Sequence, residues 1–125
     1  MAYRVEDDPS HPVVRVTVEG GYDKAEVEAM VARAREASSR GARPILYDMR
    51  RASPGDMTPA EVFWLARQHP ALQSADAATI RVAGLHDARF AAVATFWENA
   101  FRNSGLQARA FTDEADALRW LAGKD

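Results

Sequence analysis

Residues Pro44–Glu61 read PILYDMRRASPGDMTPAE, and the fold turns on how this stretch is read. PILYDM is an apolar run too short for a helix and bounded by Pro44, the pattern of a central strand buried on both faces. Thr58-Pro59-Ala60-Glu61 is a helix start: threonine caps, proline takes the first helical position, and glutamate closes the capping box. The loop between them holds Arg50, Arg51, Ser53 and Asp56. A buried strand that runs into a capped helix is half of a β-α-β unit and predicts a parallel sheet.

The flanking sequence extends the same pattern in both directions. Upstream, Tyr3–Asp7 is a short strand, and Pro9 and Pro12 turn the chain. In Val13–Glu19, Val14, Val16 and Val18 point one way and Arg15, Thr17 and Glu19 the other, so one face meets a core. The two strands pair as a hairpin, and Gly20-Gly21 reads as a turn. Asp23, with Glu26 as its reciprocal partner, caps a helix whose inner stripe is Val27, Met30, Val31, Ala34 and Ala37. Gly41 ends it.

Downstream, the helix opening at Thr58 has Val62, Leu65, Ala66 and His69 as its stripe and stops at Pro70. Thr79–Leu85, TIRVAGL, is a strand. Asp87 caps a helix with Phe90, Val93, Ala94, Trp97 and Phe101 inward, ending at Gly105. Leu106–Phe111 is a last strand, and Thr112 caps a last helix with Ala115, Leu118 and Leu121 inward. The order is β-β-α-β-α-β-α-β-α: a single α/β domain over residues 1–125 with a mostly parallel central sheet, an N-terminal hairpin and helices weighted to one side.

The chain has 125 residues, 47% hydrophobic and 27% charged, an ordinary globular mixture. It has no cysteine, which excludes disulfides and thiolate chemistry and fits a reducing compartment. A net charge of −2 argues against a general nucleic-acid binder. The start of the chain lacks the apolar run of a signal peptide, and no stretch approaches a membrane span. The expectation is a cytoplasmic protein.

The closing half carries a resemblance. ILYDM ending near an aspartate, then RVAGL, FAAVATFWENAFR and ARAFTDEADALRWL, with Trp120-Leu121 near the end, resemble the STAS domain (sulphate transporter and anti-sigma antagonist) in its SpoIIAA-like branch. The resemblance covers nearly the whole chain. It implies a non-catalytic module of regulation, ligand binding or protein interaction. Regulatory STAS domains carry an Asp-Ser-Ser-Gly type motif in this loop, with one serine phosphorylated. Here Asp48 resembles the strand-ending aspartate and Asp56 that of the motif, but Met57-Thr58-Pro59 replaces Ser-Ser-Gly. Thr58 and Ser53 are the hydroxyls left for a phosphoswitch. Capping accounts for Thr58 without one.

Two groups of residues stand out as candidate sites. Asp48, Arg50 and Arg51 leave one strand's carboxyl end, and His86, Asp87 and Arg89 leave the next. Ligands of open α/β sheets bind at this edge, and two helix N-termini point there, so an anionic ligand fits. The alternative is that the arginines pair with Asp48 or Asp56. Phe63, Trp64 and Phe96 lie off the core stripes of their helices. They suggest a surface for a protein partner, for a second copy in a homodimer, or for a lipid-like ligand in a pocket under the two helices. His11, His69 and His86 lack metal-ligand spacing, and no glycine-rich phosphate loop occurs, so neither a metal nor a cofactor is expected. Ser53, His86 and Asp87 form a triad by residue type only, with no nucleophile elbow, and no enzymatic activity is expected.

Overall fold

Val14, Val16 and Val18 have no exposed surface, while Arg15 and Thr17 between them are partly covered. This alternation makes Val14–Gly21 a strand, β2. It pairs antiparallel with β1 (Ala2–Asp7), with Tyr3 opposite Val18 and Val5 opposite Val16. On its other side lies β3 (Ile45–Ser53), then β4 (Arg81–Leu85) and β5 (Gln107–Phe111), all parallel. The sheet has five strands in the order β1-β2-β3-β4-β5. The computed structural model describes residues 1–41, 43–55, 57–58, 60–62, 64, 80–103 and 105–124. The sequence readings at Asp56, Phe63, Leu65, Ala66, His69, Pro70 and Thr79 fall outside the described residues.

Helix α1 (Lys24–Ser39) follows β2, and helical backbone at residues 60–62 and 64 (α2) follows β3. A 3-10 turn, Ala88–Phe90, leads into α3 (Ala91–Asn103), and α4 (Glu114–Leu121) follows β5. One core joins Val27, Met30 and Val31 of α1 to Val14, Val16, Ile45, Tyr47 and Val82 of the sheet. Val62 of α2 packs with Ala100 of α3, next to Trp97 and Phe101. On the opposite face Leu46, Ala83 and Leu85 pack against Ala117 and Leu121 of α4. Among the described residues the helices are therefore weighted to one side, as the single apolar face of β2 implies, with α4 closing the other.

The structure corrects several local readings. Gly20 and Gly21 are not a turn: they pair with Ala52 and Ser53 as the last residues of β2, with Gly20 at φ +83. For the same reason β3 runs past Met49 to Ser53, which places Arg50 and Arg51 on a strand rather than in a loop. The pairing shifts register between Thr17 and Glu19, a β-bulge with one extra residue in β3. Asp23 caps α1 by accepting from the Glu26 amide at 2.9 Å, but the Glu26 carboxylate binds the Met1 amine at 2.8 Å instead of closing the box. Asp113, not Thr112, caps α4, accepting from the Asp116 amide at 3.0 Å. Counting back from Leu121, helical spacing puts Ala117 and Leu118 inward and Ala115 outward.

The turn after β3 is seated on Tyr22. Gly55 has φ +59, and a Cβ added there would fall inside contact distance of the Tyr22 carbonyl oxygen. Gly123 also has positive φ, at +81, but an added Cβ meets nothing. Gly123→Ala should cost about 1 kcal/mol, the backbone penalty alone, and Gly55→Ala at least about twice that. Urea unfolding of the two variants checks this. Equal losses would mean that the Tyr22 backbone yields.

Candidate functional site

The site begins with side chains that alternate along β3. Ile45, Tyr47 and Met49 face the helical layer, and the bulge returns Ala52 to that face as well. Tyr47 pairs with Gly84 of β4, which pairs with Ala110 of β5, so the row across the sheet runs Val16, Tyr47, Gly84, Ala110. One row below, Val14, Ile45, Val82 and Ala108 follow the same order. A large ring therefore stands beside a residue with no side chain.

Above Gly84 the described residues leave open space. A Cβ added there meets no atom within 4 Å. The space is part of a cavity of about 120 Å³ between the sheet and the helices. Tyr47, Val82, Gly84 and Ala108 form its floor, with Val27, Met30 and Val31 of α1 on one wall. Phe90, Val93, Ala94, Trp97 and Phe101 form the other. These five are the whole inner stripe read from the sequence for the helix after Asp87. Trp97 stacks on Phe101, with centroids 5.5 Å apart, and meets Tyr22 edge-on at 6.5 Å. The two rings thus pack on each other rather than filling the space over Gly84.

The cavity has few polar groups. The Tyr47 hydroxyl is buried and has no hydrogen-bond partner among the described residues. Burial pushes this phenol far above its ordinary range, so it stays protonated. Glu98 lines the cavity but is engaged, accepting from the Ala110 amide at 2.5 Å and pairing with Arg102 at 3.6 Å. His86 also lines it, with Nδ1 3.0 Å from the Asp87 carbonyl.

The opposite face of β2 and β3 is ionic. Arg15 donates to Asp8 at 2.9 Å, to Asp48 at 3.4 Å and to Glu114 of α4 at 2.8 Å. Asp48 is buried, at 8% exposure, and also accepts from Arg50 Nε at 3.0 Å and Nη2 at 2.8 Å. Arg50 reaches Glu114 at 3.4 Å, while Arg51 reaches Glu19 at 3.5 Å. Arg89 pairs with Asp87 at 3.1 Å and lies over the Phe90 ring. Of the strand-end residues singled out from sequence, the structure brings Asp48 and Arg50 together. It leaves Arg51 and Arg89 with other partners and places His86 at the cavity.

The remaining candidates are placed as follows. Thr58 Oγ1 accepts from the Glu61 amide at 3.2 Å, and Glu61 Oε1 accepts from the Thr58 amide at 3.0 Å, a complete capping box. The Ser53 carbonyl accepts from the Tyr22 amide at 3.3 Å. Trp64 and Phe96 are exposed, at 44% and 41%, and Lys24 Nζ sits 3.8 Å from the Trp64 ring centre. Sequence reading missed Tyr47 and Gly84 as site residues. Gly84 did carry a signal, since glycine inside a strand often marks a close approach or a missing side chain.

A five-stranded sheet with one antiparallel edge and helices chiefly on one face is a SpoIIAA-like α/β fold. The chain superposes on the crystal structure of an uncharacterised protein of the DUF3478 family, described as having a SpoIIAA-like fold, from Shewanella loihica PV-4. The TM-score is 0.59 at 17% identity, covering 96% of this chain and 92% of that one. At this identity the likeness establishes the fold alone. No family model matches the sequence, and comparison with curated proteins finds no relative.

The ionic cluster makes stability depend on acid. Burial raises the Asp8 carboxyl, but hydrogen bonds from Arg15, the Ser10 amide and His11 outweigh it and bring it to about 2, below the ordinary 3.8. Asp48 follows the same logic: burial raises it, and Arg50 and Arg15 bring it below its ordinary value. A carboxyl lowered on folding stabilises the fold while ionised. That contribution is complete above about pH 4 and is lost as pH falls through about 2. Asp8→Asn should be less stable than wild type at pH 7, with the difference shrinking between pH 4 and pH 2. Urea titrations at stepped pH check this. A difference that stays constant across the window would remove Asp8 from the account.

Proposed function

We propose that this protein is a non-catalytic, cytoplasmic STAS-like module that binds a small apolar ligand in the cavity over Gly84. The observation that carries the reading is the open space above that glycine. A strand interior favours a β-branched residue, and glycine there gives up stability unless the space has a use. The apolar walls suit a hydrophobic molecule, and the few polar groups suit orientation rather than chemistry. Glu98 is held by the Ala110 amide and Arg102, and His86 donates from Nδ1 to the Asp87 carbonyl.

Gly84→Val tests this directly. The side chain enters open space, so the variant should fold with equal or higher thermal stability. Native mass spectrometry of freshly purified wild type should show mass above that of the bare chain. The variant should show the bare chain only. An identical spectrum for the two proteins would defeat the cavity reading.

A second reading rests on Trp64 and Phe96, the large hydrophobic residues exposed among those described. They would form a contact for a protein partner or a second copy, and identical patches meeting about a two-fold axis give the commonest oligomer. Lys24 over Trp64 contributes only about 0.5–1 kcal/mol at an exposed site, so the ring still has apolar area to offer. On this reading wild type sediments as a dimer at high concentration and Trp64→Ala as a monomer. A monomer at every concentration would rule out self-association.

A further inference from the structure

The sheet has two outer strands, and they are guarded differently. An edge strand turns every second amide and carbonyl away from the sheet, where another strand can pair with them. On β5 the Glu98 carboxylate of α3 takes the Ala110 amide at 2.5 Å, so a side chain already stands where a new strand would bond. Among the described residues nothing comparable reaches the backbone of β1 outside its ladder with β2. That ladder runs from Ala2 to Asp7 without a bulge, and AYRVED contains no proline. The devices that ordinarily break an edge are missing from this one.

The side chains of β1 are sorted by face. Tyr3 and Val5 pack on the α1 core, while Arg4 and Glu6 are exposed on the other face and pair with each other at 3.3 Å. We propose that β1 is the contact through which two copies of this chain join, antiparallel and with Val5 opposite its own copy, into one continuous sheet. Charge selects the register. Directly opposite residues of an antiparallel pair point to the same face, so a two-fold axis must set one residue of β1 opposite itself. With Arg4 at the axis two arginines meet, and with Glu6 there two glutamates meet. With Val5 at the axis, Arg4 of each copy lies opposite Glu6 of the other, and the half-buried valines meet on the α1 face. Opposite charges across strands stabilise a pair, and like charges oppose it. Alongside β1, Arg33, Glu36 and Arg40 of α1 line a groove with Glu6 and Asp7. Both signs are present there, and the net charge of the chain is −2, so two copies approach without a strong field of one sign between them. The contact uses neither Trp64 nor Phe96 and does not depend on the cavity.

The test is a charge-swap series read by sedimentation equilibrium up to the highest soluble concentration. Wild type should form dimers. Arg4→Glu sets carboxylates opposite carboxylates, and Glu6→Arg sets guanidiniums opposite guanidiniums. Each variant alone should dimerise at least about tenfold more weakly than wild type. Mixed in equal amounts, the two should associate with each other as wild type does, because every cross-strand pair then joins opposite charges. The ion pair within each chain stays broken in that mixture, so recovery reports the contact between copies. The double variant, Arg4→Glu with Glu6→Arg, should also dimerise like wild type, and Trp64→Ala should leave the association unchanged. Wild type that stays monomeric, single variants that associate as wild type does, or a mixture that fails to recover would each overturn the proposal. Dimers lost in Trp64→Ala and kept in Arg4→Glu would overturn it in favour of the aromatic surface.

Discussion

Ile45 and Leu46 are neighbours in sequence, and at 1% and 0% exposure neither reaches water. Side chains of consecutive strand residues point to opposite faces, so β3 must be covered from both sides at once. That one constraint calls for both helical layers. Ile45 needs α1, whose Val27, Met30 and Val31 complete its core, and Leu46 needs α4, which brings Ala117 and Leu121. A sheet covered on the α1 face only would leave Leu46, Ala83 and Leu85 in water. The last helix exists, in energetic terms, to cover them, at roughly 1.5–3 kcal/mol for each large side chain buried.

The two faces then take different roles. On the α4 face the sheet turns ionic beyond Leu46. Arg15 ties β2 to Asp48 of β3 and to Glu114 at the start of α4. Glu114 and Asp116 also lie in the first turn of α4, where negative charge is favoured by the helix dipole. A buried ion pair adds little net stability over a hydrophobic pair, but removing one partner is costly. The cluster therefore fixes how α4 sits on the sheet more than it strengthens the fold. On the α1 face there is no such network. Apart from the Ala110 amide on Glu98 and the Met1 amine on Glu26, contact between the described residues there is chiefly apolar, and it is incomplete over Gly84.

How far the fold could be read from sequence follows from the same physics. The valines of β2, the stripe of α1 and the run ILY are strongly periodic, and the structure puts them where the period does. The SpoIIAA-like resemblance rested on ILYDM and on the strand and helix stretches of the closing half, and it holds as a fold. Element ends were less legible because they depend on partners. Nothing local in Arg50-Arg51-Ala52-Ser53 says strand; β2 extends that far, and the ladder follows it. Asp113 displaced Thr112 as a cap because both suit the position, and only the three-dimensional path of β5 decides between them. The site was least legible. Asp48, Arg50 and Arg51 drew notice by charge, a property visible in one residue. The cavity is a property of a row across three strands, and glycine inside RVAGL is its one local sign.

That row explains why the gap falls where it does. Below it, Val14, Ile45, Val82 and Ala108 fill the sheet surface under α1. In the row itself size drops from Tyr47 to nothing at Gly84 and one methyl at Ala110. The helix above would have to send a long side chain down to fill the step. Instead Trp97 lies flat on Phe101 and edge-on to Tyr22, and both smaller residues facing the gap, Val93 and Ala94, are too short to reach across it. A core that only needed density would place a branched residue at 84, since close packing is the ordinary state of an interior. Keeping glycine beneath a wall of rings gives up packing at that one place, a loss that a bound apolar molecule would recover.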